Sequence, residues 1–150
     1  MTLIKRAGLE DVGAVAPLFD AYRQFYGQRS DLAAARAFLD ERLRHDESVV
    51  FLAVADGPGG QAVGFTQLYP SFSSVSLGRL WVLNDLFVDP AVRRGGVGRR
   101  LLERARDWAV ETQARGLVLS TGVTNTTAQA LYESCGWTRD DEFHRYRLLV

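Results

Sequence analysis

Residues 80–102 read LWVLNDLFVDPAVRRGGVGRRLL. An apolar run to Val88 is broken at Asp89-Pro90. Glycines at 95, 96 and 98 then stand among arginines, and Leu101-Leu102 open an amphipathic stretch. The pattern predicts strand, turn, anion-binding loop and helix. Glycine lets the backbone come close to a ligand and turn its N–H groups towards it. The positive end of a helix dipole follows directly and stabilises a phosphate. A Walker A loop needs a Gly-Lys-Ser/Thr end, and Gly98-Arg99-Arg100 has neither lysine nor hydroxyl. A dinucleotide fingerprint needs a third glycine where Leu101 stands. Arg93-x-x-Gly96-x-Gly98 remains; the plainer alternative is a tight strand-to-helix turn without a ligand.

Outward from this segment, Gly98 to Arg115 predicts a helix with Leu101, Leu102, Ala105, Trp108 and Ala109 facing in, stopped by Gly116. Leu117–Thr121 predicts a buried strand. Asn125–Ser134 predicts a short helix closed by Gly136. Strands at 137–139 and 143–149 should flank the acidic turn 140–142. Towards the N-terminus, 2–7 predicts a strand and 9–26 a helix, with a second helix running from a cap at Ser30 or Asp31 through His45. Val49–Ala55 and Ala62–Tyr69 should form a hairpin about the turn 56–60, with Pro70 ending the second strand and 71–78 a polar loop. The order β α α β β β α β α β β predicts one mixed α/β domain over residues 1–150.

The chain has 150 residues, 47% apolar and 24% charged, with zero formal net charge. Such a balance gives no general attraction to nucleic acid or an anionic membrane. Phosphate recognition must be local, and the arginines at 93, 94, 99, 100 and 104 are its candidates. The single cysteine, Cys135, allows no internal disulfide and suits a reducing compartment. No apolar run approaches the ~20 residues of a membrane-spanning helix, and MTLIKRAGLED turns charged too early for a signal peptide. A cytoplasmic protein is expected. His45 and His144 are isolated, so no metal set is expected.

Arg93-x-x-Gly96-x-Gly98, with Leu86-Phe87-Val88 before it and Leu101-Leu102 after it, resembles the acetyl-CoA motif of the GCN5-related N-acetyltransferases. Asn125-x-x-Ala128-x-x-Leu131-Tyr132-Glu133-x-x-Gly136-Trp137 resembles that family's second motif, with Trp137 where most members carry Phe. The element order matches as well, so the resemblance covers essentially the whole chain. It implies a mixed, mostly antiparallel sheet with two splayed parallel strands and flanking helices. It implies acetyl-CoA as cosubstrate, with no metal. The pantetheine arm would pair with Leu86, Phe87 and Val88, whose backbone would also donate to the thioester oxygen as it gains charge. The pyrophosphate would sit over Arg94, Gly95, Gly96, Val97, Gly98 and Arg99, and Arg93, Asn125 and Ala128 would also bind the cofactor. Tyr132 matches the general acid that meets the departing thiolate; its plainer role is a packed helix tyrosine.

An alkyl ammonium with pKa about 10.4 must lose a proton before it attacks. Family members often place Glu where this chain has Asn84, and Asn is no base. Asp85 is the neighbouring candidate, either as base or as counter-charge for the acceptor. Strand alternation turns it away unless a bulge re-aims it, and a purely structural hydrogen-bond network is the alternative. Leu83 to Val88, with GFTQLYP before it, resembles the diamine, polyamine and fungal histone-and-polyamine acetyltransferase subgroup. That likeness implies a small cationic amine as acceptor, direct transfer in a ternary complex, and a homodimer through 143–150. Tyr22, Phe25, Tyr26, Tyr69 and Phe72 are candidates to line the acceptor pocket. A lysine or protein N-terminus as acceptor, or a non-catalytic CoA-binding sensor, are the alternatives.

Overall fold

The computed structural model describes residues 1–56, 59–92 and 95–150. The elements are β1 (Leu3–Arg6), α1 (Val12–Phe25), α2 (Leu32–Arg44), β2 (Val49–Val54), β3 (Ala62–Ser73), β4 (Gly78–Val88), α3 (Val97–Glu111), β5 (Gly116–Val118) and α4 (Thr126–Ser134), with single 3-10 turns at Leu9–Asp11 and Pro90–Val92. They divide into two compact units, Met1–Ser120 and Thr121–Val150, and each is described by itself.

In the first unit one sheet runs β1-β2-β3-β4-β5. The first four strands are antiparallel neighbours. β5 returns parallel to β4 after the α3 crossover, as a parallel neighbour must. Strand alternation sorts the core. Val50, Leu52, Val54, Phe65 and Phe87 meet Val12, Val15, Ala16, Phe19, Ala35 and Leu39 of α1 and α2. On the opposite face α3 buries Leu101, Leu102, Ala105 and Ala109, and its Trp108 ring lies 6.0 Å from Phe51 and 5.8 Å from Trp81. Gly64 of β3 leaves the room that the neighbouring β4 backbone takes. A Cβ there would stand 3.0 Å from the Phe87 carbonyl oxygen and 3.4 Å from a Leu101 methyl.

The α1–α2 connection is tied by one carboxylate. Asp20 Oδ2 accepts from the Ser30 hydroxyl at 2.6 Å, and Oδ1 accepts from the Asp31 N–H at 2.8 Å. Asp31 then caps α2 by accepting from the Ala34 N–H at 3.0 Å, the N-cap bond expected of Asp.

Several sequence expectations are corrected in this unit. The helix expected from Gly98 to Arg115, stopped by Gly116, runs Val97–Glu111 and closes at Thr112, and Gly116 opens β5 instead. The helix expected from Leu9 starts at Val12 behind a 3-10 turn. β3 passes through Pro70 to Ser73, where Pro70 pairs with Trp81. β2 ends its pairing at Leu68, so from there β3 is an edge strand on that side, and an edge tolerates a residue with no N–H to give. The loop expected over 71–78 therefore shrinks to the turn between Ser73 and Gly78. The strand expected over 117–121 is shorter, Gly116–Val118, and half-buried to exposed rather than buried.

In the second unit α4 is bounded by its own chemistry. Asn125 Oδ1 accepts from the Ala128 N–H at 3.2 Å. Gly136, at φ +91, lets its N–H reach the Glu133 carbonyl while the Trp137 N–H reaches the Tyr132 carbonyl, both at 3.1 Å. This is the Schellman closure, and the Tyr132–Trp137 ring contact at 6.2 Å supplies its usual apolar clasp. The strands expected at 137–139 and 143–149 are not formed. The acidic turn does form, with Asp140 Oδ1 accepting from the Glu142 N–H at 2.9 Å. Alternation makes a strand only when a ladder partner is available, and two short arms on their own are marginal.

Candidate active site

β5 pairs with β4 only at Leu80, Trp81 and Val82. Two residues further on, β4 bulges. Gln67 of β3 pairs with Asp85 and Leu68 with Leu83, leaving Asn84 as the extra residue. A one-residue bulge reverses which face the side chains take. Leu83, opposite Leu68, and Trp81, against Trp108, lie on the α3 face. Asp85 and Phe87, opposite Gln67 and Phe65, lie on the α1 face. The bulge thus re-aims Asp85, the condition on which its candidacy depended.

Asp85 is 1% exposed and Gln67 is 0% exposed. Asp85 Oδ2 accepts from Gln67 Nε2 at 2.6 Å, and Oδ1 accepts from Asn84 Nδ2 at 2.8 Å. The Asp85 carbonyl accepts from the buried Thr66 hydroxyl at 2.8 Å. From α1, the Tyr22 phenol donates to the Asn84 carbonyl at 2.9 Å. Burial pushes the Asp85 carboxyl above the ordinary carboxylate value, against the hydrogen bonds from Asn84 and Gln67. Burial, with the Asp85 charge adding to it, likewise pushes the Tyr69 phenol up. A buried carboxylate held by neutral donors keeps a demand for a proton or a cation.

Around this group α1 ends in aromatic side chains. The Tyr22 ring lies 5.0 Å from Tyr26 and 6.1 Å from Phe65, and Phe25 lies 5.2 Å from Tyr26. Phe25 and Tyr26 are exposed, as is Phe72, which carries the Arg79 guanidinium 4.4 Å above its ring. Gln67 and Thr66 escaped the sequence analysis. Their signal was present: two polar residues inside the strongly apolar strand of GFTQLYP, with Gln67 in alternation with Phe65.

At the other end of β4, Leu86 and Phe87 pair with Thr66 and Phe65, and Val88 with Gly64. The chain turns through Pro90–Val92, where Asp89 Oδ1 accepts from the Ala91 N–H at 3.0 Å. Arg93 and Arg94 lie outside the described residues. Gly95 and Gly96 are exposed. Gly96 is the N-cap of α3 at φ +76, and no side chain caps that end. Gly98 and Arg99 follow in the first turn, with Val97 buried beneath them. An uncapped helix start entered through a left-handed glycine, with exposed backbone around it, fits a phosphate-bearing ligand. Asn125, Ala128 and Tyr132 belong to α4 of the second unit, where Asn125 and Ala128 make the cap and Tyr132 is half-buried. Among the described residues no group of His, Cys, Asp and Glu is placed to hold a metal, and no helix is long and apolar enough to cross a membrane.

Comparison with known proteins gives the same assignment. Residues 15–137 match the acetyltransferase (GNAT) family. The chain is 48% identical over 147 residues to an uncharacterised N-acetyltransferase of Bacillus subtilis strain 168, covering 98% of this chain and 97% of that one. It is 38% identical over 108 residues to a probable acetyltransferase of Haemophilus influenzae, covering 72% and 73%. A crystal structure of a probable acetyltransferase superposes with TM-score 0.93 at 47% identity, covering 99% of this chain and 97% of that one. An aminoglycoside N-acetyltransferase in complex with CoA shares the fold at TM-score 0.81 and 22% identity. The chain belongs to the acetyltransferase (GNAT) family, and it is an N-acetyltransferase.

Proposed function

We propose that this N-acetyltransferase takes its acetyl group from acetyl-CoA and moves it directly, in a ternary complex, to the primary amine of a small cationic molecule. One observation carries the proposal: β4 bulges at Asn84 just past the point where its pairing with β5 ends. A sheet that loses its parallel neighbour there has room for an extended arm beside Leu86, Phe87 and Val88. The bulge adds a buried acid, Asp85, on the side where α1 presents Tyr22, Phe25 and Tyr26.

In this scheme the α3 N-terminus, from Gly95 through Arg99, holds the pyrophosphate, with Arg93 and Arg94 adding charge. The backbone of Leu86–Val88 aligns the thioester and donates to its oxygen. Tyr132 donates a proton to the departing thiolate, and Asn125 and Ala128 set the start of its helix. The acceptor arrives as an ammonium, its charge favoured by the Asp85 carboxylate and by aromatic faces, and must leave one proton behind before its nitrogen attacks. The enzyme would act in the cytoplasm. A homodimer is in keeping with the exposure of Phe143, Tyr146, Leu148 and Leu149, which a second copy would cover.

Free thiol released from acetyl-CoA, followed with a panel of diamines, polyamines, amino acids, aminoglycosides and peptide N-termini, tests this. Fastest release with a small polycationic amine is expected. Tight CoA binding without amine-dependent release would instead make the chain a cofactor-binding module, and preference for a peptide would move the acceptor class to proteins.

A further inference from the structure

Asn84 is an exposed residue held from two sides. Its backbone carbonyl accepts from the Tyr22 phenol at 2.9 Å, and its Nδ2 donates to Asp85 Oδ1 at 2.8 Å. The groups behind it are buried. Asp85 is 1% exposed; Gln67, 0% exposed, gives its Nε2 to Asp85 Oδ2 at 2.6 Å, while its own Oε1 has no hydrogen-bond partner. A buried carboxylate and an unpaired amide oxygen both oppose folding. Leucines would fill the strand pair without either penalty. Of Tyr22, Thr66, Gln67, Asn84 and Asp85, only Asn84 is exposed. The network therefore has one outlet, the Asn84 amide.

The carboxylate decides which way that amide faces. A carboxylate only accepts hydrogen bonds, so the NH2 end of Asn84 turns to Asp85 and Oδ1 turns away from it. With Gln67 on Oδ2 and Asn84 on Oδ1, each carboxylate oxygen has its own donor. An amide whose N–H is bound to an anion is polarised, and its oxygen becomes a stronger acceptor. Such an oxygen suits a cationic N–H donor, a primary ammonium above all. The bulge sets its place: Asn84 is the extra residue of β4, two residues beyond the last pairing with β5 at Val82 and two before Leu86.

Resting on the function proposed above, we propose that Asn84 is an acceptor-binding residue, its Oδ1 receiving an N–H of the acceptor amine, and that Asp85 is the positioning residue that turns the amide to do so. The contact uses an N–H bond of the acceptor and leaves the lone pair of the deprotonated nitrogen for the thioester carbon.

The test uses the full chain, with the fastest small amine of the thiol-release panel as probe. Initial rates with amine and acetyl-CoA each varied are measured for the wild type, Asn84→Ala, Asn84→Asp and Asp85→Asn. Beside them, the side-chain 15N–H signals of Asn84 are followed in the CoA-bound wild type as amine is added. Asn84→Ala should raise KM for the amine ~10-fold or more, the loss of a hydrogen bond to a charged group, and leave KM for acetyl-CoA unchanged. Asn84→Asp should keep KM for the amine within about 3-fold of the wild-type value, because two adjacent carboxyls share a proton and the new side chain then donates inward and keeps an oxygen outward. Asp85→Asn should raise KM for the amine several-fold and move the Asn84 signals upfield. In the wild type those signals should shift as the amine binds. An Asn84→Ala enzyme with the wild-type KM for the amine, or Asn84 signals that the amine does not move, overturns the assignment and leaves the acetyltransferase function standing. The wild-type spectra decide even if Asp85→Asn does not fold. A wild type that acetylates no amine removes both.

Discussion

Asp85 makes the sharpest residue-scale prediction. Its carboxyl binds a proton more readily in the folded chain than in the unfolded one, because burial raises it. The fold therefore loses stability as pH climbs from the ordinary carboxylate value, about 3.9, towards the raised folded value, and nothing of this kind is lost below that range. Asp85→Asn removes the titration. The variant's melting temperature should gain on that of the wild type as pH rises through this window, since a turned Gln67 amide still meets the new side chain. Its turnover should fall roughly 100-fold. Melting curves at several pH values, beside rates, check both. The sequence made Asp85 a candidate because it is the acid next to Asn84, where the family often carries Glu. It gave no sign of the face Asp85 takes, because a bulge is a property of the pairing between β3 and β4 and not of β4 alone. Gln67 was missed for the same reason: its value lies in a cross-strand partner.

At the scale of elements, the loop-to-helix start and the α1–α2 connection carry separate predictions. Gly96 sits at φ +76, where a side chain costs about 1–2 kcal/mol. Gly96→Val should raise KM for acetyl-CoA several-fold and leave KM for the amine near its wild-type value, as initial rates with each substrate varied would show. Asp20 is held below the ordinary carboxylate value by the hydrogen bond from Ser30 and then by the Asp31 N–H. Its folded value lies under its unfolded one, so its contribution is present above the unfolded value and is lost as pH falls through the folded one. Asp20→Ala should lower the melting temperature at neutral pH, by an amount that shrinks as the pH is taken down through the carboxylate range. It should also raise KM for the amine, since α1 carries Tyr22, Phe25 and Tyr26. Most helices and strands were legible from period and caps: Asp31, one of the two caps the residues offered, and the Gly136 stop appear where they were placed, whereas α3 enters through Gly96 rather than Gly98. Pro70 was read as a strand end because the sequence does not reveal that β2 has already stopped at Leu68. The arms 137–139 and 143–149 alternate like strands, but alternation does not create a partner.

For the whole molecule, the two sequence motifs fall in different compact units, Met1–Ser120 with the glycine loop and Thr121–Val150 with Tyr132. The family was legible because each motif is local: a strand feeding a glycine-entered helix, and a helix closed by Gly136. The acceptor was not, because the groups proposed to meet it come from α1, β3 and β4, which are distant in sequence and united only by the fold. In the proposed chemistry, changing Tyr132 cuts turnover without weakening cofactor binding at the α3 start. The most direct measurement supplies acetyl-CoA carrying a 13C-labelled acetyl group and a small polycationic amine, and follows the label by mass spectrometry in wild type and Tyr132→Phe. The account predicts labelled N-acetyl amine in step with thiol release, and a Tyr132→Phe enzyme that binds CoA normally but forms product at least ~10-fold more slowly. Thiol release without labelled amide, or a Tyr132→Phe enzyme as fast as the wild type, would contradict it.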